Sequence, residues 1–141
     1  MFEIQNTKEI PLLRVNAHVF KHSKFGCTHL HLDCDSTEKA FSVAFRTIPK
    51  DHSGIAHILE HTVLCGSEKF PVRDPFFMMT RRSLSTFMNA MTYPDITAYP
   101  FATLNDKDYR NLLSVYLDAA FFPNIDELDF MQEGHRFELI K

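Results

Sequence analysis

The sequence has few cysteines and no paired cysteine motif. Cys27, Cys34 and Cys65 are odd in number, and none of them forms a CxxC pair with another. Such a set favours neither a disulfide framework nor a zinc knuckle. Because disulfides are rare in reducing compartments, we expect an intracellular chain whose thiols are reduced.

A net positive charge and long apolar runs are also missing. The formal net charge is -3 at pH 7, which offers no basic surface for nucleic acid and no polybasic patch for a membrane. No apolar run approaches the roughly 20 residues that a membrane-spanning helix needs. The opening residues, MFEIQNTKEI, lack the order of a secretion signal and the Arg/Ser-rich bias of a transit peptide. We therefore expect neither nucleic acid nor a membrane as a partner.

What is present is an ordinary globular composition. The 141 residues are 45% hydrophobic and include 14 phenylalanines, enough for one domain with a real core. In the first third of the chain, apolar and polar residues alternate over residues 15–19, 30–34 and 41–45. Short polar turns separate these runs, so we predict three strands of an antiparallel meander with one buried face.

From residue 53 onward the apolar spacing becomes helical. Ser53 is the predicted N-cap and Gly66 the predicted stop of a first helix. Its regularly spaced residues should form the packed face: Ile55, Ile58, Leu59 and Thr62. Further helices are predicted over residues 75–82, 106–120 and 125–134, the second of them capped by Asn105.

Two other stretches of the second half look extended. Residues 85–103 contain a turn at Pro94–Asp95 and should form a hairpin, and residues 137–141 should be extended as well. An antiparallel sheet with helices packed on one of its faces is an α+β architecture, which is the fold class we predict.

The stretch GIAHILEHTVLCG places His57, Glu60 and His61 close together on the first helix. Successive helical residues are about 100° apart, so the three share one arc, which we expect to face outward, opposite the packed face. Two imidazoles at i and i+4 can reach one zinc ion. The glutamate beside them can take a proton from a water that the zinc activates. H-x-x-E-H is the motif of the inverzincin metallopeptidases.

A polar helix face needs no metal, so the spacing alone leaves a catalytic centre and a solvated surface both open. His29 and His31 lie on one face of a predicted strand and could chelate a metal, although a solvent-facing polar edge is the commoner arrangement. Cys65 follows His61 by one turn and could coordinate a metal, but a small buried thiol is the expected state.

Longer stretches of sequence extend the motif. The segments FRTIPKDHSGIAHILEHTVLCGSEKFPVRDPFFMM, RSLSTFMNAMTYPDITAYPFAT, NLLSVYLDAAFFP and ELDFMQEGHRFE strongly resemble the presequence protease group of the insulinase-like, or pitrilysin-type, zinc metallopeptidases. The resemblance runs from about Leu12 to the end of the chain. It implies a pitrilysin-like domain of a large peptidase that degrades unfolded peptides, including cleaved targeting peptides, in a chamber made of two halves.

The resemblance also implies roles for five residues. Zinc would be the cofactor, held by His57 and His61, with Glu60 as the base that activates water. FMNA would be an edge strand beside the metal, where Asn89 and Ala90 hold the main chain of the substrate by strand addition.

Two parts of the family pattern are not found in these residues. The third zinc ligand of the family is a glutamate in an N-E-x-x-G-type helix that should lie beyond Lys141, and Glu133, in QEGH, belongs to an earlier segment and does not take that role. The C-terminal half that closes the chamber is also missing. We therefore expect residues 1–141 to be the N-terminal part of a single peptidase domain, poorly active in isolation. Its partners would be unfolded peptides and the missing half, and an exposed sheet edge would allow self-association.

Two other hypotheses remain open. Pitrilysin-like chains also serve as non-catalytic structural or peptide-binding subunits, typically with a degraded H-x-x-E-H, whereas the motif here is intact. An incidental metal site in an inert α+β domain would predict no effect of replacing Glu60. The bacterial cytoplasm and the mitochondrial or another organellar matrix are both compatible with the sequence.

Overall fold

The N-terminal unit, Met1–Thr37, is a three-stranded antiparallel sheet in the computed structural model, which describes residues 1–135 and 139. Its strands are β1 (Phe2–Ile10), β2 (Val15–His22) and β3 (Thr28–Cys34), in the order β1-β2-β3. The antiparallel pairing of β2 with β3 confirms the predicted neighbours, residues 15–19 and 30–34.

Strand β1 is missed by the alternation analysis. Its register with β2 shifts between Ile4 and Asn6, and such an irregularity interrupts the two-residue alternation on which the prediction rests. The expected buried face is not found in β3, whose residues are all exposed. Alternation therefore identifies the β2–β3 pair correctly but overstates its burial.

The second unit begins at Glu38 and contains a second antiparallel sheet. Its strands are β4 (Lys39–Arg46), β5 (Ser85–Met88), β6 (Met91–Thr92) and β7 (Ile96–Thr103). Strand β7 is central, with β4 on one side and both β5 and β6 paired along the other. The prediction that residues 41–45 complete the first meander is wrong, because alternation indicates which side chains share a face but not which strand lies alongside.

The described part of this unit has four helices: α1 (Ile55–Thr62), α2 (Pro75–Arg82), α3 (Asp106–Phe121) and α4 (Glu127–Glu133). The last three confirm the predicted helices. Asn105 caps α3 as predicted, because its side chain accepts hydrogen bonds from the N–H groups of Lys107 and Asp108, both at 3.0 Å. The β6–β7 hairpin also turns where predicted.

The predicted ends of α1 are wrong at both termini. Gly54, not Ser53, occupies the N-cap position with φ 70°, a left-handed conformation that glycine adopts without strain. The Ser53 N–H and hydroxyl both donate to Oδ1 of Asp51, at 2.9 and 2.5 Å, so the Ser53 side chain is engaged in a turn before the helix. The helix ends at Thr62 rather than continuing to Gly66.

The core of the second unit lies between α3 and the sheet. Phe101 of β7 and Leu112 and Tyr116 of α3 are buried at 1%, 0% and 1% exposure. The Phe101 ring centroid lies 5.0 Å from that of Tyr116 and 5.5 Å from that of Phe41 in β4, distances at which aromatic pairs attract each other. This packing holds β7, the strand with which β5 and β6 pair, against α3.

The predicted α+β fold class is confirmed, with antiparallel sheets and helices packed in the second unit. No helix among residues 1–135 combines the length and apolar character that crossing a bilayer requires. Apart from Leu139, the predicted extended segment at residues 137–141 lies outside the described residues.

Candidate metal centre

Helix α1 brings two imidazole nitrogens together. His57 and His61 are one turn apart, so their side chains lie on the same face of the helix. Their Nε2 atoms are 3.2 Å apart, and the ring centroids are 4.9 Å apart in a T-shaped arrangement. Both side chains are exposed. The two nitrogens therefore converge on one point at the surface of the helix.

Glu60 lies beside the histidines but is directed inward. Its exposure is 5%, whereas Ile55 and Leu59 are 67% and 43% exposed. The predicted packed face is wrong for Ile55 and Leu59, and the predicted outward position is wrong for Glu60. Helical spacing groups residues onto faces, but it does not indicate which face meets the sheet.

A hydroxyl group explains how the Glu60 carboxylate is accommodated in a buried position. The Thr92 hydroxyl donates to Glu60 Oε2 at 2.5 Å. Thr97, which is 2% exposed, lies 3.4 Å from the Thr92 oxygen and 2.7 Å from that of Thr47. Burial, followed by the charge of Glu60, raises the pKa of Tyr99 to about 12, so the neighbouring phenol stays neutral. The base candidate is thus held in a polar pocket between α1 and β6–β7.

A second series of hydrogen-bonded polar side chains reaches the site from α4. His61 Nδ1 lies 2.9 Å from Oε2 of Glu133, whose Oε1 accepts from Gln132 Nε2 at 2.8 Å. Gln132 Oε1 in turn accepts from Arg73 Nη2 at 2.7 Å. The hydrogen bond from Gln132, together with the hydrogen bond and the electrostatic attraction of His61, holds the pKa of Glu133 below its usual range despite the opposing effect of burial. We call Arg73, Gln132 and Glu133 the α4 relay.

The α4 relay and Thr92 are the parts of the site that sequence reasoning missed. Glu133 is separated from His61 by 72 residues, so no local spacing could connect them. Its two oxygens lie within hydrogen-bond distance of His61 Nδ1 and Gln132 Nε2.

Cys65 is a buried thiol, as expected. It is 7% exposed, and its Sγ lies 3.5 Å from the carbonyl oxygen of His61. Burial, with a smaller contribution from Asp129 and other acidic neighbours, raises the pKa of the thiol to about 12. The thiol is therefore neutral at pH 7, and it donates a weak hydrogen bond to the His61 carbonyl.

Asn89 and Ala90 lie between β5 and β6, at the sheet edge next to the histidines. They line a cavity of about 220 Å³ together with Glu60, His61 and Glu133. The Asn89 N–H donates inward to the carbonyl of Pro100 at 3.1 Å, and the Ala90 N–H donates to Oδ1 of Asn89 at 3.0 Å. Regular strand structure ends at Met88, so the expected edge strand is interrupted at these two residues.

His29 and His31 lie elsewhere, on β3 of the N-terminal unit. Both are exposed, with ring centroids 6.5 Å apart. His18 lies directly opposite His31 on β2, with its ring centroid 6.0 Å away. The solvent-facing arrangement favoured for this pair is therefore the observed one.

The donor set at α1 fits zinc. One ligand atom from each of His57, Glu60 and His61 can be chosen so that all three lie within 4.8 Å of one another. A tetrahedral zinc with bonds of about 2.0–2.1 Å places two nitrogen ligands about 3.3 Å apart. The Nε2 separation of 3.2 Å matches that requirement before any rearrangement. His57 and His61 are thus suited to be ligands of a single ion.

Sequence comparisons identify relatives over most of the chain. The profile of the family described as Insulinase (Peptidase family M16) matches residues 46–138. The mitochondrial presequence proteases of Candida albicans and Mus musculus are each 56% identical to the chain, over 138 and 137 residues respectively. Each match covers 97% of this chain but only 13% of the relative, so the chain spans a small part of the length of these proteins.

Solved structures support the same fold. Pitrilysin matches with a TM-score of 0.76 at 21% identity, covering 94% of this chain and 14% of that one. A protease from Helicobacter pylori matches with a TM-score of 0.71, also at 21% identity, covering 83% of this chain and 28% of the other. Together with the element order, these similarities confirm the predicted pitrilysin-like architecture.

Proposed function

This chain belongs to the insulinase family of peptidases, family M16, and we propose that it forms the zinc-binding part of a metallopeptidase that hydrolyses unstructured peptides. One observation supports the proposal most directly. The Nε2 atoms of His57 and His61 face each other at 3.2 Å, and the Glu60 carboxylate lies beside them. Two candidate nitrogen ligands with an adjacent base are a large part of what a hydrolytic zinc site needs.

His57 and His61 would hold the ion through their Nε2 atoms. When bound, zinc acts as a Lewis acid that polarises a peptide carbonyl and increases the acidity of water. Catalytic zinc sites normally use three protein ligands. We propose that the third is the carboxylate outside these 141 residues that the resemblance to zinc metallopeptidases implies, and not Glu133, whose oxygens contact Gln132 and His61.

Glu60 is the residue to which we assign proton transfer. Its Oε2 accepts a hydrogen bond from Thr92, so Oε1 is the oxygen that would take a proton from the attacking water. The same oxygen would return the proton to the leaving amine. The half-buried Thr92 hydroxyl fixes the orientation of the carboxylate, which is what positioned acid–base catalysis requires.

Asn89 and Ala90 are the residues to which we assign the substrate main chain. The Ala90 N–H donates to the Asn89 side chain, and a peptide carbonyl could replace that acceptor. An extended peptide would then lie along the edge formed by β5 and β6, next to Glu60 and His61. Backbone hydrogen bonds of this kind bind extended peptides with little dependence on their sequence.

The names of the relatives suggest the substrate and the compartment. The Candida albicans and Mus musculus relatives are presequence proteases of mitochondria, so we propose that the substrates are cleaved presequences and that the site works inside mitochondria. Because the chain spans only 13% of those relatives, we propose that a further protein segment completes the chamber, and that the isolated 141 residues have little activity.

A chimera tests this function. In it, the present chain replaces the matching segment of the Mus musculus relative. We expect the chimera to hydrolyse an unfolded presequence peptide, to lose activity with a metal chelator and to regain it with zinc, while the isolated chain is nearly inactive. A folded but inactive chimera, or one that a chelator does not affect, would contradict the proposal. Robust hydrolysis by the isolated chain would show that no further segment is needed.

A further inference from the structure

The α4 relay has no role in the function proposed so far, yet it ends on a candidate ligand. It connects Arg73, which precedes α2, with Gln132 and Glu133 at the end of α4 and with His61 on α1. Glu133 is 22% exposed at its side chain and His61 is 48% exposed. The contact is therefore partly shielded from water, where a charge-assisted hydrogen bond is stronger than at an open surface.

Each bond in the relay fixes the next. Arginine can only donate, so the carbonyl oxygen of Gln132 must face Arg73 and its amide group must face Glu133. A carboxylate can only accept, so Nδ1 of His61 must carry the proton shared with Glu133. Neutral imidazole has one ring proton, which leaves the lone pair of His61 on Nε2. That atom is the one lying 3.2 Å from Nε2 of His57.

We propose that Glu133 is a positioning residue, which holds His61 in the Nδ1–H tautomer and in the ring orientation that presents Nε2 to a metal. The inference rests on the proposed function, because a preformed lone pair matters only if a metal binds there. Glu133 acts through His61 and not as a ligand, since one of its oxygens bonds His61 and the other bonds Gln132. Hydrogen bonds from a carboxylate to the far nitrogen of a ligating histidine orient the ring and increase its basicity.

A substitution at Gly134 can displace Glu133 while the Glu133 carboxylate keeps its charge. A Cβ atom added at Gly134 would lie 2.6 Å from the carbonyl oxygen of Phe130 and 3.0 Å from its ring. The first distance is shorter than non-bonded contacts allow, so the end of α4 would have to shift. Gly134→Ala should therefore move Glu133 away from His61 while leaving both residues in the chain.

The test measures zinc affinity and the tautomer of His61 in the 141-residue chain. Zinc affinity is obtained by competition with a chromophoric chelator, and the tautomer of the metal-free chain by nitrogen-15 NMR of the imidazole. Glu133→Ala should weaken zinc binding by about 10- to 100-fold and convert His61 from the Nδ1–H form to a mixture. Gly134→Ala should change both in the same direction. Glu127→Gln removes an equal charge from the exposed first turn of α4 and should change neither.

Unchanged zinc affinity in folded Glu133→Ala would contradict the positioning role, as would a wild-type His61 that carries its proton on Nε2. If Glu133→Ala does not fold, Glu133→Gln keeps the shape of the side chain and an acceptor oxygen, and a smaller loss of affinity is expected from it. A wild-type chain that binds no zinc would instead count against the proposed function. In that case the His61 tautomer of the metal-free chain still decides whether Glu133 orients the ring.

Discussion

Glu60→Gln should remove most peptide hydrolysis by the chimera with the Mus musculus relative while leaving its zinc content unchanged. Glutamine cannot accept the proton that the attacking water loses, and a positioned general base typically contributes about 10²–10⁴-fold to the rate. We therefore expect kcat to fall by that factor with little change in KM. Steady-state kinetics on an unfolded presequence peptide and elemental analysis of the same sample provide the measurement.

The structure indicates that Glu60→Gln should remove proton transfer without disturbing the fold. Glutamine has nearly the shape of glutamate and can still accept the hydrogen bond that Thr92 donates to Glu60. Glu68 is exposed in the turn after α1, so Glu68→Gln is a matched control that should retain full activity. Retained hydrolysis in Glu60→Gln would exclude a base role for this residue. Simultaneous loss of zinc would indicate that Glu60 is a ligand instead.

Phe101→Ala should destabilise the second unit more than any replacement at the surface. Phe101 is 1% exposed and contacts the rings of Phe41, Tyr109 and Tyr116. Removing a buried phenylalanine leaves a cavity and typically costs about 3–5 kcal/mol, a large part of the free energy of unfolding of a small domain. Urea unfolding followed by circular dichroism measures the loss as a lower transition midpoint.

The matched control for this prediction is Phe122→Ala. Phe122 follows the last turn of α3 and is 57% exposed, so its replacement should change the free energy of unfolding by less than about 1 kcal/mol. Equal losses in the two variants would show that the core does not lie between α3 and β7. If Phe101→Ala is too unstable to purify, Phe101→Leu keeps most of the buried volume and should show a smaller loss.

Local features of the fold could be predicted because short-range chemistry determines them. Asn105 accepts hydrogen bonds from N–H groups two and three residues further on, so its sequence position alone predicts the start of α3. The spacing of His57 and His61 likewise predicts that their side chains meet, because residues one turn apart share a face of a helix. The turn at Pro94–Asp95 is another feature of this kind.

Features that depend on distant residues could not be predicted. Nothing in the alternation of residues 41–45 indicates that β4 pairs with β7 rather than with β3. Glu60 was expected to face solvent, but Thr92, which is 32 residues away in sequence, gives its carboxylate a partner inside the protein. The contact between Glu133 and His61 is more distant still. For the site, sequence spacing therefore predicts the candidate ligands but not the groups that orient them.

Zinc titration of the 141-residue chain tests the central claim, that the two facing nitrogens on α1 bind a single ion. We expect wild type and His52→Ala, a control at an exposed histidine before α1, to bind one equivalent. His57→Ala and His61→Ala should each bind at least about 10-fold more weakly, because each removes one of two nitrogen ligands. Equal binding in all four chains, or no binding by wild type at millimolar zinc, would contradict the account.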